Sequence, residues 1–173
     1  QLPAGCPFIF AKEINLNIFL TMKKQIICLL VVLMAAVTSA QNQSKRSENF
    51  NLDGKVAIMG YDPVAYFKGK PEQGKKELSA AYQGVVYHFS TTANKEAFTK
   101  NPTGYEPQYG GWCAYAMGSN AEKVEINPET FKIVDGKLYL FYNAFFNNTL
   151  KSWNKQEATL KAKADANWRK FIK

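Results

Sequence analysis

The chain has 173 residues, of which 46% are hydrophobic and 21% are charged. This balance is typical of a globular domain and excludes an intrinsically disordered chain, which would carry too little apolar surface to form a core. The formal net charge is +8, but the lysines are scattered, or recur among alanines at helical spacing near the C-terminus, which favours a solvated helix face over a nucleic-acid interface.

The N-terminal part of the sequence has the pattern of material that precedes a folded domain. The first methionine is Met22, and residues 1–21 are interpreted as an upstream, non-native extension. Two lysines, an apolar run over residues 26–37 and the small residues Thr38-Ser39-Ala40 predict a signal peptide over residues 22–40. The apolar run is shorter than the roughly 20 residues of a membrane span. We therefore expect export to the periplasm or the extracellular space, without a membrane anchor after cleavage.

The next segments lead into the expected domain. Residues 41–52 are polar and aperiodic, which predicts a flexible leader ahead of a domain over residues 53–173. Tyr61-Asp62-Pro63 is typical of a turn, because aspartate and proline each favour turn conformations. Residues 64–67 are apolar, and we expect a strand there.

A hairpin is predicted where Gln83-Gly84 separates residues 77–82 from residues 85–90. Side chains alternate across a strand, so Tyr87 and Phe89 share one face and His88 lies on the other. The face with the aromatic rings is the better core candidate. We therefore expect His88 in less apolar surroundings.

Helices and a second hairpin follow. Thr91 or Thr92 is expected to cap a helix over residues 93–100, and one or two helical turns are expected over residues 114–117. Asp135-Gly136 between β-rich segments predicts a second hairpin, and the chain is expected to be helical from Ala144 onward. Its apolar stripe comprises Phe145, Leu150, Trp153, Leu160, Ala164, Trp168 and Ile172. The prediction is an α+β fold: a small antiparallel sheet with hairpins, a short helix after the strand ending at Ser90, and a longer C-terminal helix.

Three motifs in chain order resemble the YHS-domain family: Gly-Tyr-Asp-Pro-Val-Ala-Tyr-Phe over residues 60–67, Tyr87-His88-Phe89-Ser90, and Pro-Gln-Tyr-Gly-Gly-Trp-Cys-Ala-Tyr over residues 107–115. The resemblance covers most of residues 55–170 and is closest to an exported, single-domain branch. It implies a relation to cysteine-rich modules implicated in heavy-metal sensing and trafficking, some of them beside copper-transporting ATPases. Cysteines expected in that family are replaced here by Ala65 and by the Ser90 region.

His88, Cys113 and Met117 are the predicted metal ligands. His88 is the only histidine, and Cys113 is the only cysteine outside residues 1–40. Imidazole and thiolate suit copper and similar transition metals, and Met117 lies one helical turn after Cys113. Asp62, Tyr87, Tyr109, Trp112 and Tyr115 are the predicted binding residues around this site.

Two other interpretations stay open, and no catalytic residue is assigned. Cys113 and His88 form a nucleophile–base pair in one of them, although no flanking motif of a known thiol enzyme is present. In the other, the aromatic residues bind a small molecule or an envelope protein without a metal. The favoured expectation is a non-catalytic module that binds a copper-like metal ion or an envelope partner.

Overall fold

A computed structural model describes residues 19–31 and 45–172. Residues 19–31 are helical and belong to a compact unit separate from residues 43–173. Within these two described ranges, no helix has the length and apolar character that a bilayer span requires. Most of the expected upstream extension, the predicted cleavage region and residues 41–44 lie outside the described residues, so the signal peptide stays a prediction.

The folded unit contains a four-stranded sheet with strands β1 (Leu52–Asp53), β2 (Val56–Ala57), β3 (Lys75–Tyr82) and β4 (Val85–Phe89) in the order β1-β2-β4-β3. β2 and β4 run parallel, and the other neighbours are antiparallel. The predicted hairpin is confirmed: Gln83 and Gly84 form its turn with φ angles of 45° and 84°, as a hairpin turn of the primed type requires.

Alternation along β4 places its aromatic side chains in the core. Val85, Tyr87 and Phe89 are completely buried, whereas His88 is half-buried on the opposite face. This agrees with the expectation from the sequence. The rings of Tyr87 and Phe89 both pack against Phe98 of the following helix, with centroids 4.6 Å and 5.2 Å apart.

The helices confirm the α+β class. A short helix over residues 45–49 (α1) precedes the sheet, and α2 (Thr92–Lys100) follows β4. Thr91 caps α2 because its side-chain oxygen accepts the backbone N–H of Asn94 at 3.1 Å. The remaining helices are α3 (Pro102–Tyr105), α4 (Ala114–Ser119), α5 (Thr149–Lys155) and α6 (Glu157–Phe171).

A second hairpin pairs β5 (Asn127–Val134) with β6 (Lys137–Phe141). Asp135 and Gly136 turn it with φ angles of 51° and 67°, which confirms the Asp-Gly prediction. A very short hairpin of β7 (Asn143–Ala144) and β8 (Asn147–Asn148) then leads into α5. Helix α6 packs closely on α4, where a Cβ atom added to Gly118 would lie 2.5 Å from the carbonyl oxygen of Leu160.

Three sequence expectations are wrong. Residues 64–67 are not a strand, because Ala65–Lys68 is a 3₁₀ helix that ends at Gly69 with a φ angle of 83°. The Asp62 carboxylate accepts the backbone N–H groups of Val64 and Ala65, and these hydrogen bonds favour a helical turn over extended backbone.

The second correction concerns the flexible leader predicted over residues 41–52. From residue 45 onward this prediction is wrong. Residues 45–49 are helical, and the backbone N–H of Asn51 donates to the carbonyl oxygen of Gly110 at 2.9 Å. The third concerns the C-terminal apolar stripe. The helix begins at Thr149 instead of Ala144, which leaves Phe145 outside it and exposed, and Ile172 is also exposed.

Candidate functional site

Two of the motifs that carry the YHS resemblance contact each other through Asp62. This aspartate is completely buried. Its Oδ2 accepts the backbone N–H and the hydroxyl of Ser90, each at 2.8 Å, and the side-chain amide of Asn94 at 2.6 Å. A buried carboxylate with this many donors is compensated for its loss of hydration. Asp62 therefore joins the turn before the 3₁₀ helix to the end of β4.

The same two motifs also meet at Gly60 and His88. Gly60 has a φ angle of 80°, and an added Cβ atom would lie 3.3 Å from Nδ1 of His88 and 2.9 Å from Nε2 of Gln73. Glycine is required here both by the left-handed backbone and by the close approach of these side chains. The imidazole of His88 thus lies against the Gly60 backbone.

Tyr87 forms a buried polar cluster with Glu106 and Arg46. The Tyr87 hydroxyl donates to Oε1 of Glu106 at 2.5 Å, and Nη2 of Arg46 donates to the same oxygen. The Arg46 guanidinium also lies over the ring of Phe50, 4.3 Å from its centroid. Neither Arg46 nor Glu106 is singled out by the sequence, because both lie far from Tyr87 along the chain and only the fold brings them to it.

Burial determines the ionisation of this cluster. It raises the pKa of Glu106, although the Tyr87 hydrogen bond and the positive charge of Arg46 act in the opposite direction. Burial also raises the pKa of Tyr87, and the negative charge of Glu106 raises it further. Tyr87 therefore acts as a neutral hydrogen-bond donor that holds β4 to the loop after α3.

Cys113 is completely buried at the start of α4. Its Sγ accepts the backbone N–H of Tyr142 at 3.3 Å and lies 3.4 Å from Oγ1 of Thr149. The backbone N–H of Cys113 donates to the carbonyl oxygen of Val124 at 2.9 Å. The thiol is thus held between α4, the end of β6 and the start of α5.

The other predicted site residues lie in different surroundings. Met117 is buried in a second core cluster, and Tyr109 donates its hydroxyl to Oδ1 of Asp165 at 3.0 Å. Burial raises the pKa of Tyr109, and the Asp165 charge adds to the effect. Trp112 donates Nε1–H to the carbonyl oxygen of Asn49 at 2.7 Å. Of the aromatic residues predicted to bind, Tyr115 lies beside Cys113 in a surface cleft.

The predicted metal donors do not fit a copper site. His88 projects from the face of β4 opposite to the core, whereas Cys113 and Met117 are buried in two different core clusters. Within residues 19–31 and 45–172, no three His, Cys, Asp or Glu side chains form a group that could hold a metal ion. Metal binding stays a prediction that the positions of these donors do not support.

A cleft of about 300 Å³ lies beside Cys113, and we call it the Cys113 cleft. It is bounded by α4, the following loop, the end of β6 and the β8–α5 junction. Its lining consists of Cys113, Tyr115, Ala116, Ser119, Asn120, Glu122, Val124, Tyr142, Asn147 and Thr149. The sequence pattern does not predict most of these lining residues, because they come from segments that are far apart along the chain and share no motif.

A larger cleft of about 540 Å³ lies between the β5–β6 turn and α6. Its charged residues pair within the fold: Asp135 with Lys161, Glu157 with Lys132, and Asp165 with the Tyr109 hydroxyl. The hydrogen bond from Lys161 holds the pKa of Asp135 below its ordinary range. This cleft contains none of the predicted site residues, and its polar groups already serve the structure.

No protein-family model, curated protein or solved structure matches the chain. The YHS resemblance therefore rests on the motifs themselves.

Proposed function

We propose that this chain is an exported, YHS-type binding module without catalytic activity, and that it binds an apolar or aromatic group of another molecule in the Cys113 cleft. The observation that carries this proposal is the lining of the cleft. Tyr115, Ala116, Val124 and Tyr142 supply apolar surface, and Asn147 and Thr149 supply a few polar atoms. Concave sites of this mixed character are typical of ligand pockets.

The size of the cleft favours a small ring or side chain over a large cofactor. An apolar cavity of about 150 Å³ accommodates benzene, and the Cys113 cleft measures about 300 Å³. Space for one or two rings suits an aromatic side chain of a protein partner or a small aromatic molecule. The exposed residues Ser119 and Asn120 lie at its edge, where they are available to a polar group on the ligand.

The surroundings of Cys113 favour binding over thiol chemistry. A nucleophilic cysteine needs a base within hydrogen-bond reach, whereas the close partners of this Sγ are a backbone N–H and the Thr149 hydroxyl. His88 lies against Gly60, on the face of β4 that points away from the core containing Cys113. Cys113 is completely buried beneath the cleft, where it packs as a small, polarisable apolar group.

Titration of the full chain with benzyl alcohol, followed by amide NMR shifts, tests the proposal. We expect saturable shifts at Tyr115, Ala116 and Val124, and a loss of these shifts in Ala116→Met, which fills the cleft. Ala162→Met is the matched control, because Ala162 lines the larger cleft. Shifts that spread evenly over the surface, or that are unchanged in Ala116→Met, would refute the proposal.

A copper titration tests the competing metal prediction. Stoichiometric binding that is lost in both His88→Ala and Cys113→Ala would favour the metal over an apolar ligand. We expect binding in neither the parent chain nor the variants, because the two donors lie in separate surroundings.

N-terminal sequencing of the exported protein tests the predicted cleavage before Gln41.

A further inference from the structure

We propose that the group bound in the Cys113 cleft is a phenyl ring at the tip of the β7–β8 hairpin of a second copy of this chain, so that two copies associate by reciprocal insertion. This inference rests on the proposed function, because it names the occupant of the same cleft. It is carried by two observations: an unusual aromatic hairpin tip, and the position of that tip beside the cleft.

Phe145 and Phe146 form the turn of the hairpin and project into solvent. Phe145 is 91% exposed, and Phe146 is fully exposed. Both have left-handed backbone conformations, with φ angles of 50° and 64°. Two consecutive left-handed residues define a hairpin turn that strongly prefers Asn-Gly.

This turn is unfavourable in the isolated molecule for two separate reasons. Left-handed backbone is strained for a residue with a bulky side chain, and both rings are left in water, where apolar surface is unfavourable. The rings make no compensating contacts within their own copy, because they are almost completely exposed. Strained and exposed aromatic residues at one loop tip indicate a contact surface.

The hairpin and the cleft are parts of one continuous patch. Asn147 belongs to β8 and lines the cleft, and Tyr142 and Thr149 directly flank the hairpin and line it too. When a projection lies next to a recess on one surface, two copies related by a twofold axis can each insert the projection into the recess of the other. The hairpin tip of a second copy is therefore the occupant that this surface indicates for the cleft.

The dimensions agree with a weak dimer. Each phenylalanine contributes about 200 Å², so one inserted ring from each of two copies contributes about 400 Å², and the surfaces that receive them contribute about as much again. The total of about 800 Å² lies below the roughly 1,200 Å² at which standard interfaces begin, in the range of weak and transient contacts. The net charge of +8 on each copy opposes association, so we expect the dimer to strengthen as salt screens this repulsion.

Sedimentation equilibrium of the full chain over a wide concentration range tests the proposal. We expect a reversible monomer–dimer equilibrium that the double variant Phe145→Asn with Phe146→Gly abolishes. Asn-Gly is the preferred sequence for this turn, so the variant removes both rings while stabilising the hairpin. Loss of the dimer then cannot be attributed to unfolding, and an unchanged or raised Tm verifies this.

Two further variants locate the interface. Ala116→Met is expected to weaken the dimer by about 30-fold or more, as the loss of a central contact does. Met59→Ser is the matched control, because Met59 is an exposed apolar residue on another part of the domain, and its dimer constant should equal that of the parent chain. All of these variants retain the apolar residues 26–37. If the chains associated through that segment, every variant would have the same dimer constant as the parent chain, and this result would contradict the proposal.

Disulfide trapping tests the contact directly. In chains that also carry Cys6→Ser and Cys28→Ser, a Phe146→Cys chain mixed with a Ser119→Cys chain is expected to form a mixed disulfide under mild oxidation, because Ser119 lies at the edge of the cleft. Met59→Cys in place of Phe146→Cys should give no such product. Trapping that is equally efficient for both pairs would overturn the proposed geometry.

The outcomes separate this inference from the function on which it rests. If the parent chain is monomeric at all concentrations but benzyl alcohol binds in the cleft, the second copy is refuted and the binding module stands. If neither binding nor dimerisation depends on Ala116, both proposals fail. Monomeric protein that binds anionic phospholipid vesicles through Phe145 and Phe146 would assign the tip to a membrane and overturn the proposed dimer.

Discussion

Ser90 donates both its backbone N–H and its hydroxyl to a single carboxylate oxygen of Asp62, each over 2.8 Å. These residues belong to two motifs of the YHS resemblance that are 28 positions apart along the chain. Tyr87 of the same Tyr-His-Phe-Ser motif donates to Glu106. Two residues of this motif, Tyr87 and Ser90, therefore stabilise the fold through hydrogen bonds. We propose the functional site in the Cys113 cleft, which contains neither of these two residues.

Asp62→Asn is expected to lower the free energy of unfolding by about 3 kcal/mol, because it replaces a charged acceptor by an amide within a buried network. The asparagine oxygen can still accept the backbone N–H of Val64, but its NH₂ group would face the N–H of Ser90. The backbone N–H of Ser90 would then have no acceptor in that position. Urea denaturation followed by tryptophan fluorescence measures the effect.

Asp53→Asn is the control for this variant. Asp53 is exposed at the end of β1, and its substitution should change the free energy of unfolding by no more than about 0.5 kcal/mol. Equal stabilities of Asp62→Asn, Asp53→Asn and the parent chain would show that the network contributes nothing to folding.

The pH dependence of stability should reveal the buried Glu106. Burial raises the pKa of Glu106 in the folded protein above its ordinary value of 4.5, so the folded chain retains this proton to a higher pH than the unfolded chain does. The contribution of Glu106 to stability is therefore fully present below pH 4.5 and is lost as the pH rises through the folded pKa. Glu106→Gln removes this titration.

The measurement is the difference in free energy of unfolding between Glu106→Gln and the parent chain, from pH 4 to pH 7. We expect this difference to increase with pH, in favour of the glutamine variant. Glu96→Gln serves as the control for replacing a glutamate by glutamine, because Glu96 is exposed on α2. A difference that falls with pH for Glu106→Gln would mean that Arg46 lowers the carboxyl pKa more than burial raises it.

Much of the fold could be predicted because its signals are local. Gln83-Gly84 and Asp135-Gly136 supply residues that tolerate positive φ angles, and Thr91 supplies a cap for the next helix. The 3₁₀ turn at residues 64–67 could not be predicted, because the Asp62 carboxylate that caps it is held in place by Ser90, which is far away along the sequence. Apolar periodicity predicts a helical position for Phe145, because it does not distinguish a ring in a helix from a ring in a turn.

The candidate site could be predicted only in part, because it is assembled from distant segments. Alternation along β4 correctly placed His88 opposite the core. The same reasoning could not place Cys113, whose partners Tyr142 and Thr149 come from the second hairpin region and α5. Of the predicted binding residues, Tyr115 lies in the cleft, while Tyr87, Tyr109 and Trp112 donate hydrogen bonds within the fold.

Cys113 should be protected from thiol reagents in the native state. In a full chain with Cys6→Ser and Cys28→Ser, we expect Ellman's reagent to react at least about 10³-fold more slowly than in denaturant, because the buried Sγ is reached only when the structure opens. The control is a chain with Cys6→Ser and Cys113→Ser, in which the exposed Cys28 reacts at similar rates with and without denaturant. Rapid native labelling of Cys113 would restore the nucleophile interpretation.

Gly118→Ala tests the close approach of α4 and α6. A Cβ atom at this position would lie 2.5 Å from the carbonyl oxygen of Leu160 and 3.1 Å from its carbonyl carbon. Both are backbone atoms, so the helices must move apart, and we expect the free energy of unfolding to fall by about 3 kcal/mol. Ser119→Ala, one position further along the same helix and exposed, should change it by no more than about 0.5 kcal/mol.

The same substitution links packing to the proposed site, because Tyr115 and Ala116 of α4 line the Cys113 cleft. A displaced α4 changes the shape of the cleft, so Gly118→Ala should bind benzyl alcohol more weakly than the parent chain does under conditions where both remain folded. Thermal unfolding followed by circular dichroism gives the stability, and the NMR titration gives the affinity. An unchanged Tm in Gly118→Ala would contradict the close approach of α4 and α6 at this position.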